Sequence, residues 1–231
     1  MASRVLPLIA AAFVALALWT RVWILLWPAA VLSGVAVVYL LRAPRALGKR
    51  SDGTLAWWGW LAWAPLFAYM RLLHECARWL TDEPVGNEVA SGVWVGRRPH
   101  LRELPPGIAI VVDLCVELPA APGVATGRSY LCIPMLDSMA PPPAAIARAV
   151  DAMLAANGPV FVHCAFGHGR SATVAAALLV RRGDATLEHV ERAMRAHRPR
   201  IGLNDHQRRA LAEAVKLGRA SAPRDGSHSL A

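Results

Sequence analysis

The chain has 231 residues, with 25 Lys and Arg against 16 Asp and Glu and a formal net charge of +9. That length allows one ordinary domain with attachments. The four cysteines, Cys76, Cys115, Cys132 and Cys164, form no C-x-x-C pair, which excludes a zinc-finger-like metal centre and a disulfide framework. Residues 1–80 hold eight Lys/Arg and two Asp/Glu, and residues 81–231 hold seventeen and fourteen. The positive excess therefore lies beside the apolar N-terminal third. It points to an anionic membrane surface, and no basic stripe interleaved with aromatics marks the rest as a nucleic-acid binder.

Val5 to Leu41 is almost wholly apolar, interrupted by Pro7, Arg21 and Pro28. As one helix it would be about 55 Å long, against the ~30 Å of a hydrocarbon core. Folding at Thr20-Arg21 gives two crossings, about 5–20 and 22–41. The stretch is too long for a cleaved signal peptide, and no small-residue cleavage site follows it. Arg42, Arg45, Lys49 and Arg50 then crowd one short loop, which places that loop on the cytoplasmic side of an inner membrane. Leu55–Leu80 carries Trp57, Trp58, Trp60, Trp63, Phe67, Tyr69 and Trp79, with Arg71, His74, Glu75 and Arg78 in its second half. This composition predicts a helix in the inner-leaflet interface, kinked near Pro65. A third crossing at 55–70 is the alternative, and it would put the remaining chain outside the cytoplasm.

The polar break Thr81-Asp82-Glu83-Pro84 divides a membrane region, 1–80, from a compact unit, 81–217. Val89–Gly96 reads as a strand or hairpin, and Arg97-Arg98 after it as a solvated pair. Ile108–Leu114 is the continuous apolar run of a buried parallel strand, and Tyr130–Met135 is another short strand. Asp113, ending its strand, reads as a structural acceptor, and Cys115 as a buried small residue. Helices are predicted over 144–156, from Ser171 to Gly183, from a Thr186 cap to His197, and over about 206–217 from an Asn204 or Asp205 cap. The Ser-, Arg- and Gly-rich tail, 218–231, is predicted to be disordered. Strands alternating with helices imply an α/β fold, a mainly parallel sheet with helices on its faces.

The densest chemistry lies in Val160–Thr173, where a short apolar strand ends at His163-Cys164 and the loop Ala165-Phe166-Gly167-His168-Gly169 leads into a helix at Arg170-Ser171. A glycine-bearing loop running into a helix N-terminus turns successive N–H groups inward and makes an anion site. Gly167 and Gly169 are free to take positive φ. The Arg170 fork matches two phosphate oxygens, the same positive field favours a thiolate at Cys164, and the Ser171 hydroxyl can donate to the sulfur. A thiolate beneath a bound phosphate is an attacking group in place.

The pattern His-Cys-x-x-Gly-x-x-Arg-Ser, carried by His163, Cys164, Gly167, Arg170 and Ser171, resembles the signature of the cysteine-dependent phosphatases, specifically the dual-specificity branch in a membrane-anchored bacterial form. The resemblance spans about residues 85–215 and implies hydrolysis of phosphate monoesters through a phosphocysteine, without metal or cofactor. It implies Cys164 as nucleophile, with Arg170 and the 165–169 amides as phosphate binders. The leaving oxygen needs a proton that a thiolate cannot supply. Asp137, between a strand and a Pro-stiffened turn, is similar in placement to the family's general acid. His163 is expected to order the loop by hydrogen bonding, and His168 to face out over the pocket. Arg198-Pro199…Asn204 resembles the segment that supports the signature loop, with Asn204 carried over as a supporting residue and Gln207 as a possible water-positioning one. If the strand ending at Cys115 neighbours the central one, Cys115 could approach Cys164 and trap it as a disulfide. Substrates are expected among lipid phosphates, with phosphoproteins as the alternative and a catalytically silent phosphate-binding module as the third reading.

Overall fold

In the computed structural model, residues 2–183 and 186–221 are described. Two apolar helices come first, α1 (Ala2–Thr20) and α2 (Leu26–Leu40), packed on each other. Arg21, in a left-handed conformation with φ 59°, makes the reversal where the apolar run is broken. The stretch Trp23–Leu40 is long and apolar enough to cross a membrane, and Val5–Thr20 is a shorter apolar helix.

The aromatic stretch forms α3 (Trp57–Ala62) and α4 (Ala64–Leu80). The break falls at Trp63, and Pro65 occupies the first turn of α4, where its missing N–H costs nothing. One side of α4 is buried in protein: Phe67 and His74 are covered, and Met70 packs on Cys115, Leu118 and Ala165. Tyr69, Leu72, Trp79 and Leu80 are exposed.

Five strands follow: β1 (Gly86–Ala90), β2 (Val93–Arg97), β3 (Ile110–Cys115), β4 (Ser129–Met135) and β5 (Val160–Cys164). Their order is β1-β2-β5-β3-β4. The β1–β2 hairpin is antiparallel, and every other pair is parallel. β5 is thus central, and its C-terminal end opens at the carboxyl edge of the sheet, where parallel α/β sheets place their ligands.

Every residue of β3 and β5 is buried, as expected of strands covered on both faces. The pleat still sorts them. Ile110, Val112, Leu114, Val160, Val162 and Cys164 face the main core, which is closed by α5 (Pro143–Leu154), α6 (Arg170–Gly183), α7 (Leu187–His197) and α8 (Asp205–Ser221). Val111 and Phe161 join a smaller core with Ile108 and Val124. By the two-residue period Asp113 and His163 lie on that second face. Helices flank the mainly parallel sheet as the sequence predicts, and these four all lie on one face of it. The β2–β3 link has a single short turn of helix, Leu101–Glu103, and the β3–β4 link has none, so irregular chain covers the other face. α8 runs to Ser221, past the boundary expected at 218, and the rest of the predicted tail lies outside the described residues.

The boundary at 81 does not separate two packing units. Residues 48–56 form a small hairpin, in which Lys49 pairs with Leu55 and the Ala56 N–H donates to Gly48 O (2.8 Å). Leu47 and Leu55 share a cluster with Val38 and Phe67 on one side and Val116 and Leu136 on the other. The Ala120 N–H donates to Gly53 O (2.8 Å). Gly53 has φ +80°, and a Cβ there would stand 2.4 Å from the Tyr130 hydroxyl. Lys49, expected among the basic loop residues, is 5% exposed. Its Nζ donates to Asp113 Oδ2 (2.6 Å), to Leu118 O (2.7 Å) and to Cys115 O.

Cutting the chain at residue 81 strands Asp113 as a buried, uncompensated charge and bares Val116 and Leu136. A protein starting at residue 81 is therefore expected to be less stable than one starting at 43 by about 3–5 kcal/mol from the broken ion pair alone. Urea unfolding of the two, followed by tryptophan fluorescence, checks this; equal midpoints would contradict it.

Candidate active site

β5 delivers Cys164 to the sheet edge, and α6 begins six residues later at Arg170. Between them the loop carbonyls are tied outward. Ala165 O accepts from the Arg98 N–H (3.4 Å), His168 O from the Gly202 N–H (3.2 Å) and Gly169 O from the Thr173 N–H (2.8 Å). Phe166 O and Gly167 O accept from the Arg198 guanidinium (3.2 and 2.9 Å). With their carbonyls held by the scaffold, the peptide units present their amides on the other side, as an anion-binding nest requires. One of those amides, Gly167 N–H, donates to Cys164 Sγ at 3.2 Å. Ser171 Oγ lies 3.5 Å from the same sulfur.

Gly167 takes φ +81°, and a Cβ on it would meet Gly96 C at 2.3 Å. Gly169 was expected to have the same freedom, but it is not among the positive-φ glycines. Its constraint is space, since a Cβ there would stand 3.3 Å from Gln207 Nε2.

Arg170 is buried, with its side chain 1% exposed. Nη1 donates to both Glu117 oxygens (2.9 Å each) and to Met135 O (2.7 Å). Nη2 lies 3.1 Å from Asp137 Oδ1, and Nε has no protein partner. Burial works against the guanidinium charge, but Glu117 and then the Cys164 sulfur outweigh it and hold the pKa well above its ordinary value. Asp137 is the exposed member of the set, at 60%. Its loop is tethered by Asn204 Nδ2, which donates to Ser138 O at 3.0 Å. Asn204 and Gln207 exchange backbone-to-side-chain hydrogen bonds (3.0 and 2.9 Å) at the start of α8. Cys164, Phe166, His168, Arg170, Asp137 and Gln207 are among the residues lining one open cavity of about 280 Å³.

Several residues stand differently from the sequence reading. His168 Nε2 is bonded to the Glu83 carboxylate (2.8 Å), so the ring is held at the rim of the cavity. His163 was expected to order the loop by hydrogen bonding. Its Nδ1 has no hydrogen-bond partner and lies 3.8 Å from Asp113 Oδ1, while the ring packs beside Phe161. Arg97 and Arg98 are not a solvated pair: Arg97 is buried, and Arg98 Nε donates to Pro119 O (2.6 Å). Asp113 accepts from Lys49, Tyr130 and the Cys115 N–H. β3 does neighbour β5. Cys115 is buried with its sulfur 3.1 Å from Glu117 Oε2, and burial followed by the Glu117 charge pushes its thiol well up.

Two residues of the site were missed. Glu117 fixes Arg170, and Arg198, fully buried, carries the signature loop and reaches Asn87 Oδ1 (2.7 Å) and Pro84 O (3.0 Å). The Arg198-Pro199 dipeptide had been noted, but its support was assigned to Asn204. A buried arginine's need for a counter-charge was the only signal for Glu117.

Residues 106–216 match the family model of the dual specificity phosphatase catalytic domain. No curated protein matches the chain. Among solved structures, Tk-PTP in the active form is similar at TM-score 0.50 and 26% identity, over 58% of this chain and 97% of that one. PTPMT1 in complex with PI(5)P gives TM-score 0.50 and 21% identity, over 59% and 97%. A mouse putative dual specificity phosphatase complexed with zinc tungstate gives 0.50 and 23%, over 63% and 96%. The last two share the fold.

Burial holds the His163 pKa down at about 4 from an ordinary 6.5. Between those values the unfolded chain binds a proton that the folded chain does not, so stability falls as pH drops through that window. The loss is about 3 kcal/mol by linkage. Burial, with Arg98 and Arg78 nearby, holds His74 down at about 4 as well, so urea midpoints at pH 7 and pH 4.5 should differ in this direction and His163→Asn should shrink the difference without removing it; an unchanged pH slope in that variant would assign the effect elsewhere.

Proposed function

We propose that this chain, whose residues 106–216 match the dual specificity phosphatase catalytic domain, is a cysteine-dependent phosphatase that is anchored by α1 and α2 and hydrolyses phosphate monoesters of membrane lipids on Cys164. The observation that carries the chemistry is the disposition of Arg170. One edge of its guanidinium is saturated by Glu117 and Met135 O, while Nε is a buried donor without a protein partner. Arg170 lines the cavity that also holds Cys164, and a buried guanidinium with an unpartnered donor beside a cysteine is suited to a phosphate oxygen.

The Cys164 thiolate attacks phosphorus, forming the S–P bond as the P–O bond to the alcohol breaks. Asp137 gives its proton to the leaving oxygen. Arg170 and the 165–169 amides stabilise the equatorial oxygens, and Ser171 donates to the sulfur when it leaves. Water then attacks the phosphocysteine, Asp137 takes its proton, and inorganic phosphate departs with Cys164 restored. Before substrate binds, Asp137 leans on Arg170 Nη2. A phosphate dianion replaces it there, and the freed carboxylate takes a proton from solvent, which it then gives to the leaving oxygen. Gln207 lines the cavity where the water must enter.

Two features favour a lipid substrate. The last turn of α2 places Val38 and Tyr39 in one cluster with Leu136, the residue before Asp137, so the reaction site stands next to the end of an apolar helix. Beside it runs a groove of about 700 Å³ that shares Ser138 with the catalytic cavity and is lined by Met139, Pro142, Arg42, His206 and Arg209 among others. Apolar walls in which Arg42, Arg209 and His206 outnumber the one carboxylate, Glu213, suit the glycerol and acyl portion of an anionic phospholipid. Phe166 is the one aromatic among the catalytic cavity's lining residues, whereas a phosphotyrosine site needs a deep aromatic cleft.

In the full chain in detergent, Cys164→Ser is expected to abolish para-nitrophenyl phosphate turnover. Asp137→Asn should lower kcat by about 10²–10⁴-fold for an alkyl phosphate. In mixed micelles, a phospholipid monoester should exceed a phosphopeptide in kcat/KM. Turnover surviving in Cys164→Ser would remove the nucleophile assignment, and a phosphopeptide preference would replace the lipid reading by a protein one.

A further inference from the structure

Lys49 is not among the residues that line the cavity, yet its three ammonium donors are all spent on the chain around Arg170's counter-ion. They go to Asp113 Oδ2, Cys115 O and Leu118 O. The two carbonyls flank Glu117, one on either side in sequence. Lys49 and Asp113 side chains are 0% and 1% exposed. An ammonium is taken this far from water only when every proton finds an acceptor and a counter-charge stands beside it. Asp113 is equally committed, accepting from Tyr130 Oη (2.6 Å) and from the Cys115 N–H (2.8 Å) as well.

This clamp fixes a backbone that has no regular partner of its own. β3 ends at Cys115, and the chain beyond it is irregular up to β4. The Lys49 ammonium, together with the Gly53 O bond from the Ala120 N–H, is what ties 115–120 to the hairpin. Glu117 is the middle of that segment, and both its oxygens hold Arg170 Nη1. Where Glu117 sits decides the plane of the Arg170 guanidinium, and therefore where Nε and Nη2 meet a ligand.

Resting on the phosphatase reading of the Cys164 loop, we infer that Lys49 is a positioning residue, supplied from the juxtamembrane hairpin, that sets Arg170 through the Cys115–Leu118 segment. The membrane-proximal chain is then part of the phosphate site. α2 leads through the Pro44–Leu47 turn to Lys49, Lys49 to Glu117, and Glu117 to the arginine that grips the substrate.

The test uses the full chain in detergent, with two readouts: turnover of para-nitrophenyl phosphate, and binding of inorganic phosphate to the Cys164→Ser protein by calorimetry. Lys49→Met is expected to weaken phosphate binding by about tenfold and to lower kcat/KM by about a hundredfold, the scale of a small misplacement of a catalytic group. Asp113 is left charged in that variant, so Lys49→Met/Asp113→Asn, which removes both charges, is made alongside. It is expected to recover melting temperature without recovering phosphate affinity. Combined with Glu117→Gln, the Lys49→Met loss should be much smaller than in the parent, because both act on one path.

A neutral pair that binds phosphate and turns over like the parent would overturn the inference. So would losses from Lys49→Met and Glu117→Gln that simply multiply. If the parent protein shows no turnover but binds phosphate in a Lys49-dependent way, the phosphatase reading fails and the positioning role stands.

Discussion

The fully buried contact between Arg170 and Glu117 is the constraint on which the site depends. Removing two such charges from water costs several kcal/mol per ion, and their attraction offsets this only when the remaining donors and acceptors are satisfied. Here they are nearly so. Glu117 gives both oxygens to one guanidinium nitrogen, which also donates to Met135 O. The contact draws together three pieces of chain distant in sequence: the segment after β3, the end of β4 and the first turn of α6. Asp137 follows Met135 by two residues, so the same contact sets the distance between the proposed acid and the proposed nucleophile.

Around that contact, charge is arranged in two layers. The cup that faces the cavity is made of amides and a guanidinium, while its outer side is held by Arg198 on the loop carbonyls and by Glu83 on His168. Glu83 also stands 3.3 Å from Arg198 Nη2. The chain at the nominal start of the catalytic unit thus reaches the back of its loop. On the second face of the sheet, Lys49, Asp113 and the half-buried Tyr130 form another polar network under His163, joined to the first by the Lys49 bonds to Cys115 O and Leu118 O. Buried polar groups of this kind are costly unless fully partnered, and they fix one arrangement when they are.

Local pattern made much of the fold and the centre of the site legible. The buried strands read as apolar runs, α7 and α8 carried their N-caps at Thr186 and Asn204, and Cys164, Gly167, Arg170 and Ser171 were singled out through spacing. Thr186 caps α7 as its sequence position suggests. What could not be read were partners at long range. Glu117 to Arg170 spans 53 residues, Lys49 to Asp113 spans 64 and Arg198 to Asn87 spans 111. Charged side chains have exposure as their usual state, and Arg97, Arg98 and Lys49 were therefore read as surface groups. The membrane-facing composition of residues 1–80 likewise masked the fact that 44–56 pack with the later domain. Composition records the solvent that a segment prefers on average, and it is silent about which single residue of that segment turns inward.

The close stacking of Gly96 and Gly167 carries a last consequence. A Cβ on Gly96 would stand 2.4 Å from Val85 O, and one on Gly167 would stand 2.3 Å from Gly96 C. The nearest obstruction in each case is main chain, although the Phe161 ring would also stand 2.8 Å from a Cβ on Gly96. A side-chain clash is commonly relieved by trimming the neighbour, but trimming Phe161 would leave the backbone contacts in place. The two glycines are therefore independently irreplaceable, and no exchange of one restores a change at the other. Along this line of approach the Cys164–Arg170 loop has no room to be reshaped, and variation in the cavity must come from its other lining, where Asp137 and Ser138 stand.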